Sequence, residues 1–322
     1  MNTQMPVGEP GGENLEPRRR ESVLGLVENS AIDSSVDLEL HGATSHLHCE
    51  HLPTPSSGHD KVLIHETSEG DTWLQIARHQ TGDESLDDVV FASYRDLFSC
   101  IKDKVGSLVR IWNYIPRILS KDKSVIRYHR FNIGRKKAWE MFGPKNADGQ
   151  LLFPAATGIG TVESFFFIRA LFSPHSVIRL QNPRQISPDK YSRKYGPLPP
   201  VFSRASILLK PERHQLFVSG TASIVGEDAT YIGNPVLQTE ESLTNIRQLI
   251  DGDNCRRCGY EGEFTLDDMK SMHVYVKRAE HFDCVRKTIQ NHVRCPITYK
   301  RADICREDLL VEMECISGRH TS

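Results

Sequence analysis

A succession of helix, strand and helix occurs in each half of this 322-residue chain, and any fold must accommodate both copies. In the second half, Gln215 to Val225 alternates as a strand, with Leu216, Val218, Gly220, Ala222 and Ile224 sharing one face. After a Gly-Asn-Pro turn a helix should open at Thr239 as N-cap. Glu240 and Glu241 then fall where the helix dipole favours acids, and Leu243, Ile246 and Ile250 recur at helical spacing. A β-branched strand, Met272 to Arg278, precedes a helix carrying Phe282, Val285, Ile289 and Val293 on one face. Two strands, Thr298 to Cys305 and Leu309 to Ile316, close the chain. The first half holds a fainter copy: a helix with Phe91, Tyr94, Phe98 and Ile101 on one face, the strand Leu108 to Ile115, and a helix near Asn132 to Phe142. The pattern predicts an α+β fold of two related units, each a mixed sheet with helices on one face. The bare face of each sheet is left to meet its twin or another subunit.

Composition sets the boundaries. Residues 1–35 are rich in Gly, Pro, Glu and Asn and poor in large apolar side chains, so they read as a flexible tail. The first unit is then expected over 36–150 and the second over 151–322, with a looser stretch at His51 to Asp60. With 38% hydrophobic and 25% charged residues the chain can bury a sizeable core without metal or disulfide. Forty Lys and Arg against 42 Asp and Glu, spread along the chain, argue against nucleic acid as partner. Met1 to Ser22 holds no apolar run resembling a signal peptide, and no apolar stretch could span a bilayer, so a cytoplasmic protein without membrane contact is expected. The eight cysteines then read as reduced thiols.

Chemistry concentrates in two places. In the closing strand, alternation puts Glu312 and Glu314 on one face and Leu309, Val311, Met313 and Cys315 on the other. The shared carboxylate face is either a solvated acidic edge or part of an apolar cleft where a carboxyl of raised pKa can act as general acid. The middle of the chain carries Arg127, Arg130, Arg135, Arg179, Arg184, Arg193 and Arg204, interleaved with Tyr128, Tyr191 and Tyr195. Guanidinium groups bind carboxylates bidentately, so a small anionic ligand with more than one carboxylate is expected, most of the seven arginines being solvated.

Small residues at Phe153 to Gly160 and at Ser219-Gly220-Thr221 let backbone approach a ligand. Gly158-x-Gly160 lacks the third glycine of a dinucleotide site, and no Gly-x-Ser-x-Gly elbow is present. Cys255 and Cys258 have the spacing of half a zinc site, which His46, His48, Cys49 and His51 could complete. A second such cysteine pair is missing, so neither metal nor cofactor is expected.

Ser219-Gly220, the helix Gln238 to Ile246, the strand His273 to Lys277 with Phe282 after it, and Val311-Glu-Met-Glu314 resemble the YjgF/RidA fold, also called chorismate mutase-like. The longer set Arg130-Phe-Asn-Ile-Gly-Arg135, Phe153 to Gly160, Asn182-Pro-Arg184, Tyr195-Gly-Pro197, Phe202-Ser-Arg-Ala205 and Ala302-Asp-Ile-Cys305 resembles the chorismatases from about residue 60 onward. That resemblance implies chorismate as substrate, the second unit as the catalytic one, and Glu312 as the acid that protonates the enolpyruvyl ether. It implies Arg135 and Arg204 as carboxylate holders, Tyr195 and Gln181 as further substrate contacts, and Gly220 and Cys305 at the ring.

Members that hydrolyse chorismate are similar in having alanine at both of the last two positions, whereas glycine and cysteine accompany hydroxybenzoate formation. The expected product is therefore 3-hydroxybenzoate with pyruvate, with 4-hydroxybenzoate beside it in the bifunctional subgroup, and Cys305 either relays a proton or shapes the cleft. Alternatives are a chorismate hydrolase giving a dihydroxycyclohexadiene carboxylate, a RidA-type imine deaminase, or a binding protein without catalysis. Either a monomer that pairs its own sheets or a homotrimer is expected.

Overall fold

A computed structural model describes residues Asp60–His320. The expected tail and the rest of the segment before Asp60 lie outside the described residues, as do His46, His48, Cys49 and His51.

Two sheets organise the chain. The first is built from β1 (Lys61–Glu66), β2 (Thr72–His79), β3 (Ser107–Pro116), β4 (Ala155–Thr161) and β5 (Phe165–Ser173), in the order β1-β2-β5-β3-β4. Helix α1 (Leu86–Ile101) links β2 to β3, and α2 (Arg127–Phe142) makes the crossover from β3 to its parallel partner β4. In the second sheet, β6 (Ser176–Leu180), β7 (Ala205–Leu209), β8 (Arg213–Ala222), β9 (Met269–Val276), β10 (Ile297–Arg301) and β11 (Val311–His320) follow the order β10-β9-β11-β8-β7-β6. Helices α3 (Pro235–Ile250) and α4 (Gly252–Arg257) lead from β8 to β9, and α5 (Phe282–Gln290) crosses to the parallel strand β10. Apart from the additional edge strand β6, the second sheet repeats the first: an antiparallel hairpin, a last strand inserted in the middle, and a parallel edge pair.

Local sequence explains the elements. Ser85 and Asp88 form a capping box that starts α1, with the Ser85 amide donating to Asp88 Oδ2 at 3.1 Å. Leu86, Val89, Val90, Leu97, Phe98 and Ile101 then bury one helical face. At α3 the expected start is displaced: Asn234 is the N-cap, accepting from the Leu237 amide at 3.0 Å, and Pro235 takes the first helical position. Thr239 instead sits inside the helix with its hydroxyl on the Pro235 carbonyl at 2.7 Å, so Glu240 and Glu241 lie beyond the first turn. A proline that fits only at a helix start outweighed the weaker signal of a threonine followed by acids.

Helices cover only the outer faces. Leu243, Ile246, Val285 and Ile289 pack on Leu216, Val218, Val274 and Met313 of the second sheet. Tyr94, Leu97, Phe131 and Trp139 pack on Ile111, Ile115 and Ile168 of the first. The bare faces meet within one chain, joined by Val109 and Leu171 against Leu208 and Phe217, and by Ile159 against Tyr275. Where the sequence placed a unit boundary at 150, the first sheet runs on through β4 and β5 to Ser173, and the second begins at Ser176. Among the described residues no helix is long and apolar enough to cross a membrane.

Candidate active site

Between the sheets, beside the edge strand β4, a cavity of about 590 Å³ including its open mouth receives side chains from both. Its wall includes Arg135 and Tyr128 from α2, Thr157 from β4, Arg204 before β7, Gly220 from β8 and Glu312 from β11.

A register shift in β8 opens the space. Between Val218 and Thr221 the pairing of β8 with β11 slips, so the strict alternation expected through Ile224 is broken. Leu216 and Val218 keep to the helix-covered core, while Ala222 and Ile224 join Ile304 and Leu309 in a separate cluster. Gly220 lies in the shift with its amide donating to Thr157 Oγ1 at 2.9 Å. The last parallel strand also ends early, at Arg301 rather than Cys305. Residues 302–306 turn instead toward β4, where the Gly160 amide donates to the Asp303 carbonyl at 2.9 Å, and this carries Cys305 and Arg306 to the cavity.

The two carboxylates predicted on one face of β11 share that face, and it is the buried one: Glu312 and Glu314 are each 5% exposed. Their surroundings differ. Glu314 accepts from Arg110 Nη2 at 2.6 Å, from Trp112 Nε1 and the Tyr275 hydroxyl at 3.1 Å each, and from the Thr157 hydroxyl, with His273 Nδ1 at 3.4 Å. Burial works against its charge, yet Arg110, His273 and Thr157 outweigh it and hold the carboxyl well below the usual range. Glu312 makes no such bond among the described residues. Burial first, then the nearby Glu314 charge, push its carboxyl up to about 8, so it carries a proton at neutral pH. Of the two readings of the acidic strand, the solvated edge is thus replaced by an enclosed pair, one carboxylate ionised and the other protonated.

Of the seven arginines only Arg135 and Arg204 line the cavity. Arg135 is 2% exposed, lies 5.5 Å from the Tyr94 ring, and leaves Nε and Nη2 without a partner among the described residues. Its position depends on Gly134, where a β-carbon would collide with the Asp87 carbonyl of α1, so α2 can lie against α1 at this point. Arg204 donates through Nη2 to the Tyr191 hydroxyl at 2.7 Å and to the Ile186 carbonyl at 3.2 Å, and leaves Nε buried without a partner among the described residues. Others serve the scaffold: Arg127 donates to the Pro116 carbonyl at 2.6 Å, Arg130 pairs with Asp87 at 3.0 Å, and Arg184 pairs with Glu241 at 2.7 Å. Arg179 reaches back toward the Val177 carbonyl and Arg193 is exposed.

Two expected substrate contacts are placed elsewhere. Tyr195 lies outside the cavity wall, with its hydroxyl on Asp228 and its ring 3.5 Å from the Arg306 guanidinium carbon. Tyr191, four residues earlier, takes the inner position. Gln181 is not part of the wall either; its carbonyl accepts from Asn254 Nδ2 at 3.0 Å, beside α4. A tyrosine-rich loop gives no periodicity from which to tell the inward ring from the outward one. Arg306 is a cavity residue that the sequence did not single out, while Thr157 and Phe202 lie in stretches it marked without giving either residue a role. Arg306 follows Cys305, so the early end of β10 was the missing clue.

Cys305 is in the wall as expected, and burial followed by the Glu312 charge pushes its thiol up to about 12, leaving it neutral. Cys255 is buried in α4 with its Sγ 3.4 Å from the Ile250 carbonyl. Among the described residues no group of three or more His, Cys, Asp or Glu assembles as a metal site.

Two guanidinium groups that each keep a buried nitrogen without a partner among the described residues share one cavity with a protonated carboxyl, a set of groups suited to an anion and to proton donation, between duplicated α+β units. Similarity to known proteins agrees with that class. Residues 52–172 match the family described as Chorismatase FkbO/Hyg5-like, N-terminal. A chorismatase of Streptomyces rapamycinicus is 33% identical over 275 residues, covering 81% of this chain and 78% of that protein. A 3-hydroxybenzoate synthase of Streptomyces hygroscopicus is 33% identical over 236 residues, covering 69% and 67%. A crystal structure of a chorismatase superposes with a TM-score of 0.73 at 29% identity, covering 81% of this chain and 78% of that one. The chain belongs to the chorismatase family.

Proposed function

We propose that the protein cleaves chorismate to pyruvate and 3-hydroxybenzoate, with Glu312 as the acid. The observation that carries this reading is the contrast within one strand face: a saturated Glu314 beside a Glu312 that is protonated, unbonded and open to the cavity. Chorismate is a dicarboxylate, and the free donors of Arg135 and Arg204 suit its two anionic ends. Glu312 then gives its proton to the terminal methylene of the enolpyruvyl group, generating an oxocarbenium ion. Such positioned proton transfer contributes about 10²- to 10⁴-fold.

Pyruvate and hydroxybenzoate together equal chorismate atom for atom, so this outcome consumes no water and needs no oxidant. The ring hydroxyl oxygen at C4 attacks C3 as the bond from C3 to the pyruvyl oxygen breaks, and the proton it releases restores Glu312. Opening of the resulting epoxide at C4, with the C3 hydrogen lost as a proton to the new hydroxyl oxygen, completes 3-hydroxybenzoate. Direct loss of the C3 hydrogen with pyruvate instead leaves the hydroxyl at C4 and gives 4-hydroxybenzoate. Hydrolysis to the dihydroxy acid adds water, so enclosure by Phe131, Phe202 and Ala222 and a neutral Cys305 favour the water-free route. Both sheets of one chain furnish the site, so a single chain suffices as the catalytic unit. A dianionic substrate crosses membranes poorly, which fits work in the cytoplasm.

Incubation of the purified protein with chorismate, followed by chromatography with mass detection, tests the reading. Equal amounts of pyruvate and 3-hydroxybenzoate are expected, with or without 4-hydroxybenzoate. A dihydroxycyclohexadiene acid would reassign the product, and no turnover would remove chorismate as substrate.

A further inference from the structure

We infer that Glu314 is a positioning residue for the acid: clamped across the two sheets, it is a fixed anion on the Glu312 side of β11, and through Thr157 it anchors the Gly220 backbone on which the Glu312 carboxyl rests. The inference deepens the reading of Glu312 as proton donor and rests on it.

Geometry separates the two carboxylates by supply of donors. Arg110 and Trp112 reach Glu314 from β3, Thr157 from β4, and Tyr275 and His273 from β9, so both carboxylate oxygens are occupied. Protonating Glu314 would forfeit charge-assisted bonds that no other buried group could replace. It therefore stays ionised, and a second negative charge on the same buried face is disfavoured. Glu312 receives no donor among the described residues, so it is the member of the pair that keeps a proton. The charged groups bearing on Glu312 are Glu314 and Arg110 toward the sheet interface and Arg204 across the cavity, with Arg135 and Arg306 on the same cavity wall, while Cys305 and Tyr128 beside it are neutral.

Position is coupled to charge through one hydroxyl. Thr157 Oγ1 donates to Glu314 Oε2 and accepts the Gly220 amide at 2.9 Å. The displaced strand segment beneath Glu312 is thus tied to the same anion that governs its proton.

The test compares the full-length chain with Glu314→Gln by the pH profile of kcat/KM on chorismate and by the infrared carbonyl band of protonated Glu312, identified through its loss in Glu312→Gln. In Glu314→Gln, both the alkaline limb and the band are expected to titrate about one pH unit lower or more. A one-unit displacement costs roughly fivefold in kcat/KM at pH 8, and a larger one costs more. A uniform loss at every pH with limb and band unmoved overturns the inference and leaves Glu314 a packing residue.

Glutamine leaves Arg110 buried without its counterion, so Arg110→Gln with Glu314→Gln decides if the single variant does not fold. Glu314 outweighs Arg110 at Glu312, so the limb and band still move down in the double variant; an unmoved or raised position overturns the inference. If the wild-type chain leaves chorismate intact, the functional reading fails, and the infrared band still decides the role of Glu314.

Discussion

Glu312 occupies the space that a side chain at Gly220 would fill: a β-carbon there would lie 3.0 Å from the Glu312 carboxyl carbon and 3.1 Å from Thr157 Cγ2, and closer still to Glu312 Oε1. The carboxyl rests on bare backbone, and the glycine is needed for that approach rather than for an unusual backbone angle.

Gly220→Ala should therefore displace the acid rather than unfold the strand. Because misplacing a reacting group by about 1 Å can cost roughly 100-fold, kcat is expected to fall by one to two orders of magnitude with little change in melting temperature. Product analysis should show a larger share of the dihydroxy acid, as the displaced carboxyl admits water. Wild-type kcat in this variant would show that the contact is not used in turnover.

Glu312→Gln is expected to lose about 10²- to 10⁴-fold in kcat while binding a dicarboxylate analogue as tightly as the wild type, measured by calorimetry. Substantial turnover would remove the acid from the mechanism.

A stability signature accompanies that variant. The folded protein holds the Glu312 proton up to about pH 8, whereas an ordinary glutamate releases it near 4.5, so the native state binds more protons between these values. The Glu312 contribution to wild-type stability falls as pH rises through this window, because the charged form is penalised only in the folded state. Glutamine removes the penalty. The gain in melting temperature of Glu312→Gln over wild type should be near zero below pH 4.5 and largest above pH 8; thermal denaturation across pH checks it.

Arg135→Met should raise KM for chorismate about 10- to 100-fold, the range for one lost charge-assisted hydrogen bond, with a smaller effect on kcat. Removing a buried guanidinium whose Nε and Nη2 are unpartnered should also raise the melting temperature of the ligand-free protein. Unchanged KM would place the carboxylate elsewhere.

Two tyrosines near the cavity can be separated. Tyr191→Phe deletes the hydroxyl that holds Arg204 at 2.7 Å and is expected to raise KM several-fold, whereas Tyr195→Phe removes a contact to Asp228 outside the cavity wall and should alter KM less. Steady-state kinetics on both variants decide it, and the reverse ranking would restore Tyr195 as the substrate contact.

The duplicated architecture was legible from periodicity because it is written in local terms. The stripe of Phe91, Tyr94, Phe98 and Ile101 and the alternation from Glu312 to Cys315 each require one face to be buried, whatever the partner. Motif resemblance supplied Glu312, Arg135, Arg204, Gly220 and Cys305, and all five stand on one cavity. What pattern could not decide was what each face would meet. Whether the two acids of β11 would be solvated or enclosed depended on the first sheet bringing Arg110, Trp112 and Thr157 across the interface, from 157 to 204 positions earlier in the chain. Alternation assigns a side chain to a face, but its charge state is set by donors and burial from distant strands. For the same reason Tyr191 rather than Tyr195 turned inward, and Arg306 joined the site only because β10 stops at Arg301.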